Sequence, residues 1–228
     1  NLVGNSITAV DGRPLFAAAY DLVSAPLERA VLSPARARLL AGAAGRVLEV
    51  GAGTGANLPW YPAGLDTLDL CEPDPFMRRR LERRVAARAW PFPVRVHAVG
   101  AEGPFPAEAD DGYDLVVSTL VLCTVPDPQA AARAVRRALA EGGRVAYLEH
   151  VHVGGLAGRV QTLLSPWWGR VAGGCHLDRP ATAALRSAGL VPVEQRWIRL
   201  PPPLGLAVAG QAIIRRRPPY PGPPTGSA

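Results

Sequence analysis

The chain has 228 residues, of which 48% are hydrophobic, which is enough for one sizeable core and does not require a second domain. Its formal charge of +6 comes from 25 basic residues that are all arginine, a bias typical of a GC-rich coding background, which weakens the case for a nucleic-acid partner. Three widely spaced cysteines and the lack of any apolar run of about eighteen residues predict a cytoplasmic protein with reduced thiols and no stable membrane anchor.

The first half of the chain has the pattern of a helical preface followed by alternating strands and helices. Residues 14–44 carry apolar residues at helical spacing, with a break at Pro26. Five short apolar runs then predict strands: RVLEV (46–50), LDTLDLCE (65–72), VRVHAVG (94–100), YDLVVST (113–119) and GRVAYLEHV (143–151). Residues 75–89 and 127–141 between them have helical periodicity. Such alternation predicts a parallel sheet covered by helices on both faces.

The alternation of predicted strands and helices ends after residue 151. The stretch GGLAGRVQTLLSPWWGRVAGGCH fits neither period, and a short helix follows, with Asp178 as its N-cap and Gly189 as its stop. Segments 192–200 and 206–216 predict two strands, and the Pro/Gly-rich tail predicts disorder. We therefore expect one domain: a preface (1–45), a cofactor-binding half (46–151), a substrate-covering segment with the closing strands (152–216), and the tail (217–228).

The stretch VLEVGAGTGANLPWYP, residues 47–62, predicts a nucleotide-binding loop. Glycines at 51, 53 and 55 let the backbone turn tightly after a strand and approach a ligand closely. The spacing alone fits either a dinucleotide or the adenosyl group of a methyl donor. Glu49 suits the cationic amine of a methyl donor, whereas Glu72, at the end of the next strand, would accept ribose hydroxyls in both cases. An oxidoreductase remains the alternative, supported only by the GxGxxA pattern.

Further stretches carry a family resemblance. The pattern ExGxGxG at 49–55, the acidic end of the second strand and the closing strand pair resemble class I S-adenosylmethionine-dependent methyltransferases over Tyr20 to Arg216. STLVLCTVPDP, LEHV and GGCHLDRPATAALRSAGL are similar to the alkyl-thiol S-methyltransferases of animals and their bacterial relatives. Two departures stand out. The membrane-associating segment of the animal enzymes is missing, and Gly100 replaces an Asp that meets the adenine amino group in many class I enzymes.

The resemblance implies a Rossmann-like α/β fold: a mostly parallel sheet of seven strands with the last antiparallel, helices on both faces and an N-terminal helical preface. It implies S-adenosyl-L-methionine as the cofactor. The residues that it places against this cofactor are Tyr20, Glu49, Gly51, Gly53, Gly55, Glu72, Pro73, Ala101, Glu102 and Thr119. Tyr20 has an equal alternative as an ordinary core aromatic of the preface.

Methyl transfer is an in-line displacement, so the protein mainly aligns the acceptor and excludes water. Glu149 and His150, at the end of the fifth predicted strand, are candidates to assist, and His176 is either a pocket wall or a structural hydrogen-bonding group. Aromatic and leucine side chains at 163–168 either enclose the acceptor or pack against the preface. No metal site is expected, and the oligomeric state cannot be derived from the sequence.

The expected acceptor is a small lipophilic molecule, with a thiol favoured because a thiol of pKa near 8.5 needs only modest activation. The alternative within the enzyme class is O-, N- or C-methylation of a quinone, phospholipid headgroup or specialised metabolite. A non-catalytic domain that binds the methyl donor is the alternative outside it.

Overall fold

The computed structural model describes residues 25–106, 111–201 and 204–214, without the side chain of Val171. The break predicted at Pro26 involves residues 14–24, which lie outside the described residues. The described part of the preface begins as helical backbone at residues 25–27. It continues as a π-helical turn, Glu28–Leu32, and ends in helix α1, Ser33–Leu40. This helix packs against the sheet through its buried side. Tyr20 lies outside the described residues.

Seven strands form one sheet in the order β3-β2-β1-β4-β5-β7-β6. Their bounds are β1 Gly45–Val50, β2 Leu65–Cys71, β3 Val94–His97, β4 Tyr113–Thr119, β5 Leu139–Val151, β6 Leu190–Arg199 and β7 Leu206–Ile214. Strand β7 is antiparallel to its neighbours β5 and β6, and the other pairs are parallel, which confirms the predicted sheet. The strand order reverses between β1 and β4, and their carboxyl ends there open the crevice in which such sheets bind ligands.

Two helices cover opposite faces of the sheet, and each begins where the sequence supplies a cap. Helix α2, Pro75–Ala86, starts after Asp74, whose carboxylate accepts from the backbone N–H groups of the first turn. Helix α3, Pro128–Ala138, starts after Asp127 in the same way. The first helix buries Leu81 in a core cluster with α1, whereas α3 packs into the larger cluster on the other face. Helices therefore lie on both sides, as predicted.

The segment after β5 differs most from the expectation. It forms helix α4, Gly155–Val171, with Pro166 inside it, and not an irregular stretch. Its apolar residues include several on the exposed side, so the sequence shows no single buried stripe from which a helix could be predicted. Helix α5, Ala181–Ser187, begins after Pro180 and not at Asp178, whose carboxylate instead accepts from Ser165 Oγ at 2.6 Å. The predicted tail lies outside the described residues.

Candidate active site

The loop after β1 brings backbone close to the crevice. Gly51 and Gly53 have φ angles of +63° and +59°, in the left-handed region that favours glycine. A Cβ added to Gly51 would lie 2.7 Å from Val121 Cγ2, so this position also lacks space for a side chain. A Cβ added to Gly53 would meet no protein atom within 4 Å. The loop at Gly53 is therefore held in a glycine conformation with its surface open to the crevice.

Glu72, at the end of β2, lies directly beside this loop. Its side chain is buried, with Oε2 accepting from Gly53 N and Oε1 from Asp74 N, both at 2.8 Å. Burial raises the pKa of this carboxyl above its ordinary value. Arg78 donates to the backbone carbonyls of Glu72 and Pro73 at 3.1 Å and so steadies the turn. Ribose hydroxyls could replace these two backbone N–H groups as hydrogen-bond donors to the carboxylate. This contact between Glu72 and a ribose stays a prediction.

The three residues expected near adenine lie on two neighbouring turns. Glu72 N donates to His97 O at 3.0 Å, which sets the turn carrying Pro73 beside the end of β3. After β3, Ala101 is buried and Glu102 is exposed, and the Glu102 carboxylate folds back over Gly100. The adenine contacts of Ala101 and Glu102 stay predictions.

A buried polar network lies beneath the loop, centred on Glu49. Its carboxylate accepts from Asn57 Nδ2 at 2.9 Å and from Tyr61 Oη at 2.7 Å, and it is almost completely inaccessible to solvent. Burial raises its pKa to about 7, against the opposing effect of the two hydrogen bonds and of Arg36. Asn57 Nδ2 also donates to Thr119 Oγ1 at 3.0 Å. Glu49 and Thr119, both predicted site residues, are therefore linked through one amide.

Arg36 of helix α1 completes this network and was missed by the sequence analysis. Its Nη1 donates to Asn57 Oδ1 at 2.9 Å and to Thr119 Oγ1 at 2.8 Å, and its Nε pairs with Glu28 at 2.8 Å. The residue is 3% exposed, so the cation is held almost entirely by these partners. A signal existed in the sequence, because Arg36 occupies the middle of an apolar stripe with Leu32 and Leu40 at four-residue spacing.

Glu149 and His150 are both buried, but their side chains have different partners. Glu149 Oε1 accepts from Ser118 Oγ at 2.9 Å and from the N–H groups of Val121 and Leu122 at 3.2 Å. His150 Nε2 contacts the Leu204 carbonyl. Successive strand residues point to opposite faces, so these two candidates do not form a dyad. Glu149 holds the turn after β4, whereas His150 lies under the loop before β7.

The protonation states of these two side chains follow from their burial. Burial raises the pKa of Glu149 to about 7 against its hydrogen bonds, and it lowers the pKa of His150. The imidazole is therefore neutral near pH 7. Its Nε2 carries the hydrogen for the Leu204 carbonyl, which leaves Nδ1 as the basic nitrogen.

A family model described as a methyltransferase domain matches residues 27–195, which is most of the chain and includes the whole buried network around Glu49 and Arg36. The chain belongs to this methyltransferase family. The predicted enzyme class is thus confirmed, and S-adenosylmethionine is the methyl donor of this methyltransferase.

Three similar proteins illustrate the match. Human thiol S-methyltransferase TMT1B is 36% identical over 180 residues, covering 77% of this chain and 72% of the relative. A phosphatidylethanolamine N-methyltransferase of Cereibacter sphaeroides is 29% identical over 106 residues, covering 46% and 51% of the two chains. The solved complex of DhpI with SAH is 21% identical and has a TM-score of 0.61 over 90% of this chain and 94% of that one, which shows the shared fold.

Helix α4, which was expected to cover the acceptor, buries only some of its large apolar side chains in this methyltransferase. Leu163 and Trp167 of α4 are 79% and 59% exposed, so neither side chain is enclosed by the described residues. Trp168 and Leu164 are half-buried. Behind them His176 donates its backbone N–H to Cys123 O at 2.9 Å, which fastens the segment between α4 and α5 to the turn after β4.

Two further properties concern the described residues as a whole. Within them, no helix is both long and apolar enough to cross a lipid bilayer. Among the same residues, no three His, Cys, Asp or Glu side chains are grouped so that they could bind a metal ion.

Proposed function

We propose that this methyltransferase transfers the methyl group of S-adenosylmethionine to the sulfur of a small lipophilic thiol. The observation that carries the proposal is its 36% identity to human thiol S-methyltransferase TMT1B over most of both chains. In the reaction the acceptor sulfur bonds to the sulfonium methyl carbon as the donor's carbon–sulfur bond breaks. The products are a methyl thioether, S-adenosylhomocysteine and the proton of the thiol.

The donor side of the proposal uses the loop, Glu72 and the buried network. Glu72 would exchange its hydrogen bonds to backbone N–H groups for the ribose hydroxyls, and Gly51, Gly53 and Gly55 would underlie the donor. Thr119 would face the methionine portion, while Glu49 would support the cationic amine indirectly from beneath. The adenine would lie between Pro73 and the turn at 101–102. Tyr20, outside the described residues, stays a proposed cover for the donor.

The acceptor side needs little acid–base help, because a thiol is already partly ionised near neutral pH. His150 is the proposed group to take the thiol proton, since its imidazole is neutral and its basic nitrogen, Nδ1, is buried with no hydrogen-bond partner among the described residues. Glu149 is better described as a positioning residue, because its carboxylate holds the backbone after β4. His176 borders the same region through its backbone bond to Cys123.

The test is incubation of the purified chain with S-adenosylmethionine and separate acceptors: alkyl thiols, hydrogen sulfide, phenols, quinols and amines. Mass spectrometry should detect S-adenosylhomocysteine and methylated product with the thiols alone. Product from a phenol or quinol alone would refute the thiol assignment. His150→Gln should lower turnover at saturating donor, whereas the exposed His152→Gln, two residues along, is the matched control and should not.

Donor binding is tested separately by thermal stabilisation. S-adenosylhomocysteine at a hundred times its dissociation constant should stabilise the folded chain by about 2.7 kcal/mol, and NAD should not. Glu72→Ala should remove this stabilisation, while Asp66→Ala at the exposed start of β2 should keep it. A full shift in Glu72→Ala would show that the ribose assignment is wrong.

N-methylation of a phospholipid headgroup is the second candidate, favoured by the partial match to the phosphatidylethanolamine enzyme. It ranks below the thiol because that match spans less than half of this chain. The amine arm of the panel tests it, and turnover of any acceptor excludes a non-catalytic donor-binding role.

We also propose that the protein acts in the cytoplasm on a free small molecule, without a nucleic-acid partner. The arginines of α2 support the lack of a nucleic-acid partner, because some of them make hydrogen bonds within the protein. Arg78 bonds the carbonyls beside Glu72, and Arg84 donates to Thr54 O at 2.9 Å. A salt-dependent shift of the chain on duplex DNA or RNA would contradict this part of the proposal.

A further inference from the structure

Two cysteines that are far apart in sequence meet at the acceptor side of the sheet. Cys123 lies on the turn after β4 and Cys175 lies between α4 and α5, yet their Sγ atoms are 3.7 Å apart. The backbones are adjacent as well, because the N–H of His176 donates to Cys123 O. A disulfide needs Cα atoms roughly 4.4–6.8 Å apart, so it forms only between backbone segments that are close neighbours.

The two thiols differ in exposure and in acidity. Cys123 is completely buried, whereas Cys175 is partly exposed. The hydrogen bond between them lowers the pKa of Cys175 and raises that of Cys123. A partly exposed thiol with a lowered pKa is the one that attacks, and a buried neighbour is suited to resolve the product. The third cysteine, Cys71, is buried, and its pKa is raised to about 12.

We propose that Cys175 and Cys123 form a thiol–disulfide exchange site that reacts with small disulfides such as oxidised glutathione. Cys175 loses its proton to solvent, and its thiolate attacks one sulfur of the small disulfide. The S–S bond of the small disulfide breaks and releases one thiolate, which takes up a proton from solvent. Cys123 then attacks the Cys175 sulfur and releases the second thiol, which takes up the Cys123 proton. Two protein thiols are oxidised to one disulfide and one small disulfide is reduced to two thiols, so atoms and electrons balance.

The new bond would join two segments that border the proposed acceptor site. The turn that carries Cys123 is held from the sheet side by Glu149, and the segment that carries Cys175 leads out of α4. Oxidation would fasten one to the other covalently across 52 positions of sequence. The oxidised form should therefore be more stable and should turn over more slowly, since α4 can no longer move away from β4.

The experiment uses the full chain with oxidised glutathione and follows intact mass, peptide mapping and melting temperature. The wild type should lose the mass of two hydrogens and yield one peptide pair joined through Cys123 and Cys175. Its melting temperature should rise by roughly 5–10 °C, as a disulfide closing a long loop predicts. A reducing agent should reverse both changes, and Cys71→Ala should behave as the wild type.

Two variants separate the steps of the exchange. Cys123→Ala should accumulate one glutathione adduct on Cys175, because no resolving thiol remains, and Cys175→Ala should acquire neither adduct nor disulfide. A wild type that keeps three free thiols, or one that stops at the mixed disulfide, would overturn the proposal. A disulfide that includes Cys71 would overturn it as well. None of these readouts depends on which acceptor is methylated.

Discussion

Glu149→Gln tests whether the buried carboxyl at the end of β5 is a stability cost at high pH. The side chain is 0% exposed, and its burial raises the pKa from 4.5 to about 7. A carboxyl whose pKa is raised in the folded state binds its proton more tightly there than in the unfolded chain. The resulting stabilisation is complete below the pKa of the unfolded state and is lost as the pH rises through 7. At 1.36 kcal/mol per pKa unit, ionisation at pH 8 costs the folded state about 3 kcal/mol.

Glutamine keeps the accepting oxygen that holds Ser118 and the backbone of Val121 and Leu122, but it cannot ionise. We therefore expect the wild type to lose about 2–3 kcal/mol between pH 5 and pH 8 that Glu149→Gln retains. Glu49 titrates in the same range, but it is present in both proteins and cancels from the difference.

The assay is urea unfolding of both proteins at pH 5, 6.5 and 8, with exposed Glu141→Gln as the matched control. The difference between Glu149→Gln and the wild type should grow in favour of the variant as the pH rises, while the control should show no such trend. A difference that is the same at all three pH values would refute the reasoning, because the carboxyl would then not titrate between them. Turnover that survives in Glu149→Gln would further agree with a positioning role.

Three other substitutions give clear expectations in thermal or urea unfolding. Gly51→Ala should destabilise the fold by about 1–2 kcal/mol or more, because the positive φ strains any side chain and the added methyl meets Val121; an unchanged midpoint would contradict this. Arg36→Met should cost about 3–5 kcal/mol by leaving buried acceptors unpaired, whereas exposed Arg38→Met on the same helix should have little effect; equal losses would argue against the buried network. Ser165→Ala should cost about 1–2 kcal/mol, since its hydroxyl bonds both a carboxylate and a backbone N–H in the protein interior, and a neutral result would show that water replaces it.

Much of the candidate donor site followed from local sequence. The backbone geometry of the loop was predicted from glycines at alternate positions after an apolar run and from an acidic residue at the end of the next strand. The structure brings two of these residues, Gly53 and Glu72, into direct contact. Position 49 was also identified, although only as a partner of the ligand. Its bonds to Asn57 and Tyr61 were not foreseen, because polar residues in a loop give no periodic signal.

The amino-acid sequence by itself determined the class of fold, the strand and helix order up to β5, and the placement of the glycine loop. It could do so because strand and helix periodicity and glycine φ preferences act over a few residues. Tertiary structure alone decided the helical state of α4, the burial of Arg36 and the separate partners of Glu149 and His150. It also decided the contact between Cys123 and Cys175, since each of these depends on segments that meet only after the sheet has assembled.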